Sequence, residues 1–135
     1  AMISVELPFP PSMNHYWRMV MMGRSPRMLI SKEGRQYRET ICTFFKAHMD
    51  AAMTGPLRVV IFAYRPDRRR RDLDNLLKPL LDALAHAGVY DDDSQIVSLQ
   101  IEWVPNAIVP GGKVAVGIGG WEEMRAGRGA SSPRL

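Results

Sequence analysis

The chain has 135 residues, 46% of them hydrophobic, which suits one compact domain with its own core and no need of disulfide staples. Its single cysteine, Cys42, excludes an intrachain disulfide and a cysteine-rich zinc site. The formal charge of +4 is modest, but most Lys and Arg precede residue 72 and the following stretch is acidic, which fits either a nucleic-acid surface beside an acidic site or two solvated faces of opposite sign.

Alternation of Ile3, Val5 and Leu7 with Ser4 and Glu6 predicts a first strand, halted by Pro8, Pro10 and Pro11. Residues 12–27 lack clean periodicity and read as a loop or hairpin, in which Met19 to Met22 suggest packing or a subunit contact. Ser31 is the expected N-cap of a helix on which Tyr37, Ile41, Phe44, Phe45 and His48 recur at helical spacing, ending near Met53 before Gly55-Pro56. Leu57 to Tyr64 is β-branched and aromatic on both faces, the composition of a central strand.

Leu73, Leu76, Leu77, Leu80, Leu81, Leu84 and Ala87 then mark an amphipathic helix closed by Gly88. Pro79 inside it predicts a kink or a late helix start, because its ring crowds the carbonyl of Asn75 and removes one hydrogen bond. An acidic loop over 89–94 leads to a strand in which Val97, Leu99, Ile101 and Trp103 alternate with polar residues until Pro105. Pro110-Gly111-Gly112 turns into a final hairpin strand over 113–118. The pattern is α+β: a single domain over 2–120 with a mixed sheet of about four strands packed by two main helices, then a flexible tail over 121–135. No run approaches the roughly 18 apolar residues of a membrane span, and no signal-like core follows the N-terminus, so a soluble cytoplasmic protein is expected.

The chemistry concentrates in Arg68-Arg69-Arg70-Arg71-Asp72-Leu73-Asp74-Asn75, followed some way on by Asp91-Asp92-Asp93. Four adjacent guanidiniums repel one another and are best accommodated beside a polyanion. Carboxylates next to that polyanion repel it in turn, and a hard divalent cation such as Mg²⁺ resolves the conflict by accepting oxygens from both. Asp72 and Asp74 read either as a pair of metal ligands or as the N-cap and first-turn acid of the leucine-rich helix. Lys78, one turn after Asp74, either stabilises charge on a phosphate or joins a surface ion pair with Asp74 and Asp82. The 91–93 run is either a ligand cluster or a solvated turn. Tyr16 and Trp17 serve either as platforms for unstacked bases or as core.

Taken in order, Arg-Arg-Arg-Arg-Asp72-Leu-Asp74-Asn75-x-x-Lys78, Asp82-Ala-Leu-x-x-Ala-Gly88 and Asp92-Asp93-x-Gln95 resemble the RusA family of Holliday junction resolvases. Leu7-Pro-x-Pro-Pro-Ser12-x-Asn14, followed by an aromatic pair and Arg18, extends the resemblance over nearly all of residues 2–118. It implies a homodimeric, Mg²⁺- or Mn²⁺-dependent endonuclease that nicks four-way DNA junctions symmetrically during recombination and repair, in a bacterial or phage-infected cell. On the resemblance, Asp72, Asp74, Asp93 and Lys78 are catalytic, and Asp72, Asp74, Asp92 and Asp93 hold metal. Arg68, Arg69, Arg70, Arg71, Asn14 and Arg18 would contact DNA. Asp91 before the Asp-Asp pair and Pro79 after the lysine depart from the family pattern. The competing readings are a metal-dependent nuclease for flaps or other branched DNA, and a non-catalytic module that binds structured DNA.

Overall fold

In the computed structural model, which describes residues 2–126, the elements follow in the order β1 (Met2–Pro8), α1 (Met13–Tyr16), β2 (Trp17–Met22), β3 (Ser25–Ile30), α2 (Lys32–Lys46), β4 (Leu57–Arg65), α3 (Leu73–His86), β5 (Ile96–Ile108), β6 (Lys113–Gly120) and α4 (Trp121–Ala126). One mixed sheet has the strand order β1-β6-β4-β5, and β2 and β3 form a separate hairpin. β4 pairs parallel with β5 and antiparallel with β6, which pairs antiparallel with β1. The expected α+β architecture, with four sheet strands and two main helices, is the one observed.

β4 lies inside the sheet because both its faces are apolar. Leu57, Val59, Ile61 and Ala63 enter the core with Tyr37, Ile41 and Phe45 from α2 and Leu76, Leu80, Ala83 and Leu84 from α3. Val60 and Phe62 are buried as well, outside that cluster. At about 1.5–3 kcal/mol for each large apolar side chain fully buried, this layer fixes the two helices on the sheet.

Four expectations need correction. First, α2 stops at Lys46 and not near Met53. The N–H groups of His48 and Met49 turn back to the Phe45 carbonyl (3.0 and 2.9 Å), and Met53 N then donates to Val89 O (2.8 Å), so the chain must leave the helix to reach that partner.

Second, β5 continues through Pro105 to Ile108. It is an edge strand, where a missing N–H is tolerated, and the register shifts between Ala63 and Arg65 with Asn106 at φ 55°. Third, β6 is no hairpin partner of β5. The 109–112 turn passes the end of β4, where Val109 N donates to Arg65 O (2.9 Å), and delivers β6 to the other side of β4. Fourth, of the two alternatives drawn from Pro79, a kink or a late start, the late start is not found, since α3 begins at Leu73 and runs through Pro79.

The segment expected as a loop or hairpin is a short helix and a hairpin, turned at Gly23 (φ 65°). Gly88 adopts the left-handed conformation expected of a helix terminator (φ 80°). Of the expected tail, residues 121–126 form α4 and residues 127–135 lie outside the described ones.

Candidate nucleic-acid and metal site

The end of β4 hands the chain to the arginines through Asp67, a residue that sequence reasoning passed over. Its Oδ1 accepts from Arg69 N (3.0 Å), the side-chain-to-backbone bond of an Asx-turn. Its Oδ2 accepts from Arg71 Nη2 (2.8 Å) and Arg69 Nε (3.3 Å). The Arg71 bond, aided by the Arg69 N–H, holds the Asp67 carboxyl below its ordinary range. One carboxylate therefore folds the run into a turn, and Arg68 and Arg70 stay exposed without an acidic partner among the described residues. Just before the turn, the Arg65 guanidinium lies 4.2 Å from the centroid of the Trp103 ring, which anchors the exit of β4.

Asp72 occupies the N-cap position of α3 in an extended conformation (φ −93°, ψ 137°), yet its side chain makes no capping hydrogen bond. Asp74 follows in the first turn. Both are exposed, and among the described residues neither carboxylate has a hydrogen bond or ion pair. Lys78 is exposed on the next turn and among the described residues pairs with no acid, so the alternative of an Asp74–Lys78–Asp82 surface network does not hold. The N-terminus of a helix favours anions and phosphate oxygens as well as carboxylates.

Asp82 is engaged elsewhere. Its Oδ2 accepts from Arg38 Nη2 (2.8 Å) and Nε (3.0 Å) and from the Tyr16 hydroxyl, while Arg38 Nε also reaches Tyr16 Oη (3.1 Å). Burial raises the Tyr16 phenol above its ordinary value and the Asp82 bond adds to the effect. Tyr16 is fully buried and presents no stacking face, while Trp17 is partly buried and meets it in a T-shaped contact at the margin of the core. Asn14 on α1 and Arg18 on β2 are exposed.

The acidic loop is organised by Gln95. Its Oε1 accepts from the backbone N–H of Asp91 (2.9 Å) and Asp92 (3.1 Å), and its Nε2 donates to Met53 O (3.0 Å) and Gly55 O (3.1 Å). The Asp92 carboxylate receives the Ser94 hydroxyl, whereas Asp91 and Asp93 are exposed without a side-chain partner among the described residues. Tyr90, buried and bonded to Leu81 O (2.7 Å), has its phenol raised by burial and then by the Asp93 and Asp82 charges.

The two acidic groups attach to opposite ends of β4. Asp72 and Asp74 follow its Arg65 end, and Asp91 to Asp93 precede Ile96, which pairs with Leu57 at its start. The helix between them is roughly 20 Å long at ~1.5 Å per residue. Among the described residues no three acidic, His or Cys side chains gather so as to hold a metal ion. The structure thus joins Arg68 to Arg71, Asp72, Asp74 and Lys78 in one region and leaves the Asp92–Asp93 pair apart.

The family model described as Endodeoxyribonuclease RusA matches residues 8–117. The chain is 40% identical over 113 residues to the crossover junction endodeoxyribonuclease rusA of Enterobacteria phage HK97, covering 83% of this chain and 89% of that one. It is 39% identical over 116 residues to the protein named Crossover junction endodeoxyribonuclease RusA in Escherichia coli (strain K12), covering 85% and 92%. The similarly named protein of Enterobacteria phage 82 is 39% identical over 115 residues, covering 84% and 91%. Among the described residues no helix is long and apolar enough to cross a membrane.

Proposed function

This chain belongs to the RusA family of endodeoxyribonucleases, and from that premise we propose that it resolves four-way DNA junctions by paired, symmetrical phosphodiester hydrolysis. The setting is recombination and repair of phage or bacterial DNA in the cytoplasm. The observation that carries this reading is the unspent carboxylate pair Asp72 and Asp74, placed immediately after an arginine turn that Asp67 folds.

Mg²⁺ characteristically takes one or two carboxylates and fills its remaining positions with water and phosphate oxygens. Asp72 and Asp74 fit that requirement, with Mn²⁺ as a substitute. When bound, the metal would lower the pKa of a water and neutralise the leaving oxygen. Arg68 to Arg71 hold the backbone phosphates, with Asn14 and Arg18 extending the contact. Lys78 adds positive potential where charge accumulates on the phosphoryl oxygens.

Asp93, with Asp92 beside it, precedes β5 at the end of β4 opposite to this pair, which supports a site completed across a homodimer. The Asp72–Asp74 pair of one subunit would face the acidic loop of the other. An isologous dimer has two such sites, which matches the two equivalent scissile strands of a junction.

The test is a strand-mapped cleavage assay on a synthetic four-way junction, a flap and a linear duplex, with and without Mg²⁺. The expected outcome is symmetrical Mg²⁺-dependent nicking of the junction alone. Asp72→Asn or Asp74→Asn should abolish nicking and leave junction binding equal or tighter, since carboxylate repulsion of phosphate is relieved. Nicking that survives both changes would remove these residues from the chemistry.

A further inference from the structure

We propose that the β2–β3 hairpin is a wedge that inserts a methionine face between the unstacked bases of branched DNA while its arginines grip the flanking phosphates. This rests on the DNA-junction reading above and assigns a role to a segment of which that reading uses Arg18 alone.

The hairpin has a fixed root and an uncovered blade. Directly opposed residues of an antiparallel pair share a face, so the register places Trp17 with Ile30, Met19 with Met28, and Met21 with Pro26 along one side. Trp17 and Ile30 pack against the core. The root is latched where Ser31 N and Ser31 Oγ donate to Tyr16 O (2.8 and 2.9 Å), and Ser31 Oγ accepts from Gly34 N (2.9 Å). Gly34 is needed there, because a side chain would collide with the Tyr16 carbonyl and with Ile30. The Tyr16–Asp82–Arg38 cluster ties the same root to α2 and α3.

Beyond Ile30 the apolar face continues, uncovered by any of the described residues. Met19, Met21 and Met28 are 61%, 63% and 58% exposed. Unbranched, polarisable thioethers adapt to flat surfaces, and apolar side chains of this size are known to part base steps. The opposite face sets Arg18 across from Leu29 and Arg27 across from Val20, and Arg24 stands in the turn.

Charge decides the occupant. Residues 17–30 contain three arginines and no acid, so a polyanion is drawn to the blade. A four-way junction offers both components at one point: phosphates on converging strands, and base faces free of a stacking partner. The wedge role first considered for Tyr16 and Trp17 thus falls to the residues just beyond them.

The experiment places 2-aminopurine, which brightens on unstacking, beside the branch point of a synthetic four-way junction and titrates the full chain in EDTA so that no strand is cut. Binding should raise the fluorescence. Met19→Ser/Met21→Ser/Met28→Ser should remove most of that rise and weaken junction binding by about ten-fold, the order expected for losing the stacking of one base, while binding to linear duplex and the melting temperature change little. Arg18→Gln/Arg27→Gln should weaken both DNAs and flatten the salt dependence. An undiminished fluorescence rise in the triple variant overturns the wedge, as does an equal loss on junction and duplex. A triple variant that sediments as a smaller species than the unaltered chain also overturns it and makes the methionine face a subunit contact. If the unaltered chain fails to prefer the junction over duplex even with Mg²⁺ restored, the functional reading itself fails, independently of the hairpin.

Discussion

Asp67 shows how much a single side chain can organise. Four neighbouring arginines have every electrostatic reason to splay, yet one carboxylate gathers Arg69 and Arg71 and turns the backbone between them. Because the bonds from Arg71 and Arg69 lower the folded-state pKa, the contribution of Asp67 to stability is full above its ordinary value of 3.8 and is lost as pH falls through the lowered one. Asp67→Asn should therefore lower the neutral-pH melting temperature slightly and flatten the acid limb below about pH 4, the two curves converging where the carboxyl of the unaltered chain is protonated, as thermal unfolding across that range would reveal. For Arg68 and Arg70, which lack acidic partners, each change to Gln should reduce the slope of log affinity against log salt by roughly 0.9.

At the scale of elements, α3 carries the proposed chemistry on its first turns and is clamped in place further along. Asp82 accepts from Arg38 on α2 and from Tyr16 at the end of α1, so one carboxylate fixes three elements against each other. Asp82→Ala leaves an arginine and a phenol without their acceptor and should cost about 1–3 kcal/mol in chemical denaturation. A double-mutant cycle with Tyr16→Phe should show coupling, since the two groups share one oxygen. The helix itself was legible from its leucines, and the Ser31 cap from its position, because periodicity and capping are local. The clamp was not, since nothing in the spacing of Tyr16, Arg38 and Asp82 says that the three meet. Nor was the place of the last strand: a turn rich in Pro and Gly suggests a hairpin, but the partner of a strand is chosen by the whole sheet.

For the whole molecule, the decisive fact is that the two acidic groups attach to opposite ends of β4. The roughly twenty residues between Asp72 and Asp93 left open whether the two groups meet, and a helix followed by a return strand lays that interval out along β4. Under the proposed composite site, mixing Asp72→Asn and Asp93→Asn chains should restore nicking. In the mixed dimer one site collects both substitutions and the other collects neither. Recovered cleavage of about one strand per junction in a reconstituted mixture would mark the shared site, whereas continued silence after verified subunit exchange would mean that each chain must supply its full set of carboxylates.

The sheet order carries one more consequence. β1 has a single neighbour, and that neighbour is β6, nearly the whole chain away. During synthesis β1 therefore stays unpaired on both edges until β6 has been made. A fragment ending before Lys113 lacks both the partner of β1 and one of the two neighbours of β4, the strand whose end carries the arginine turn.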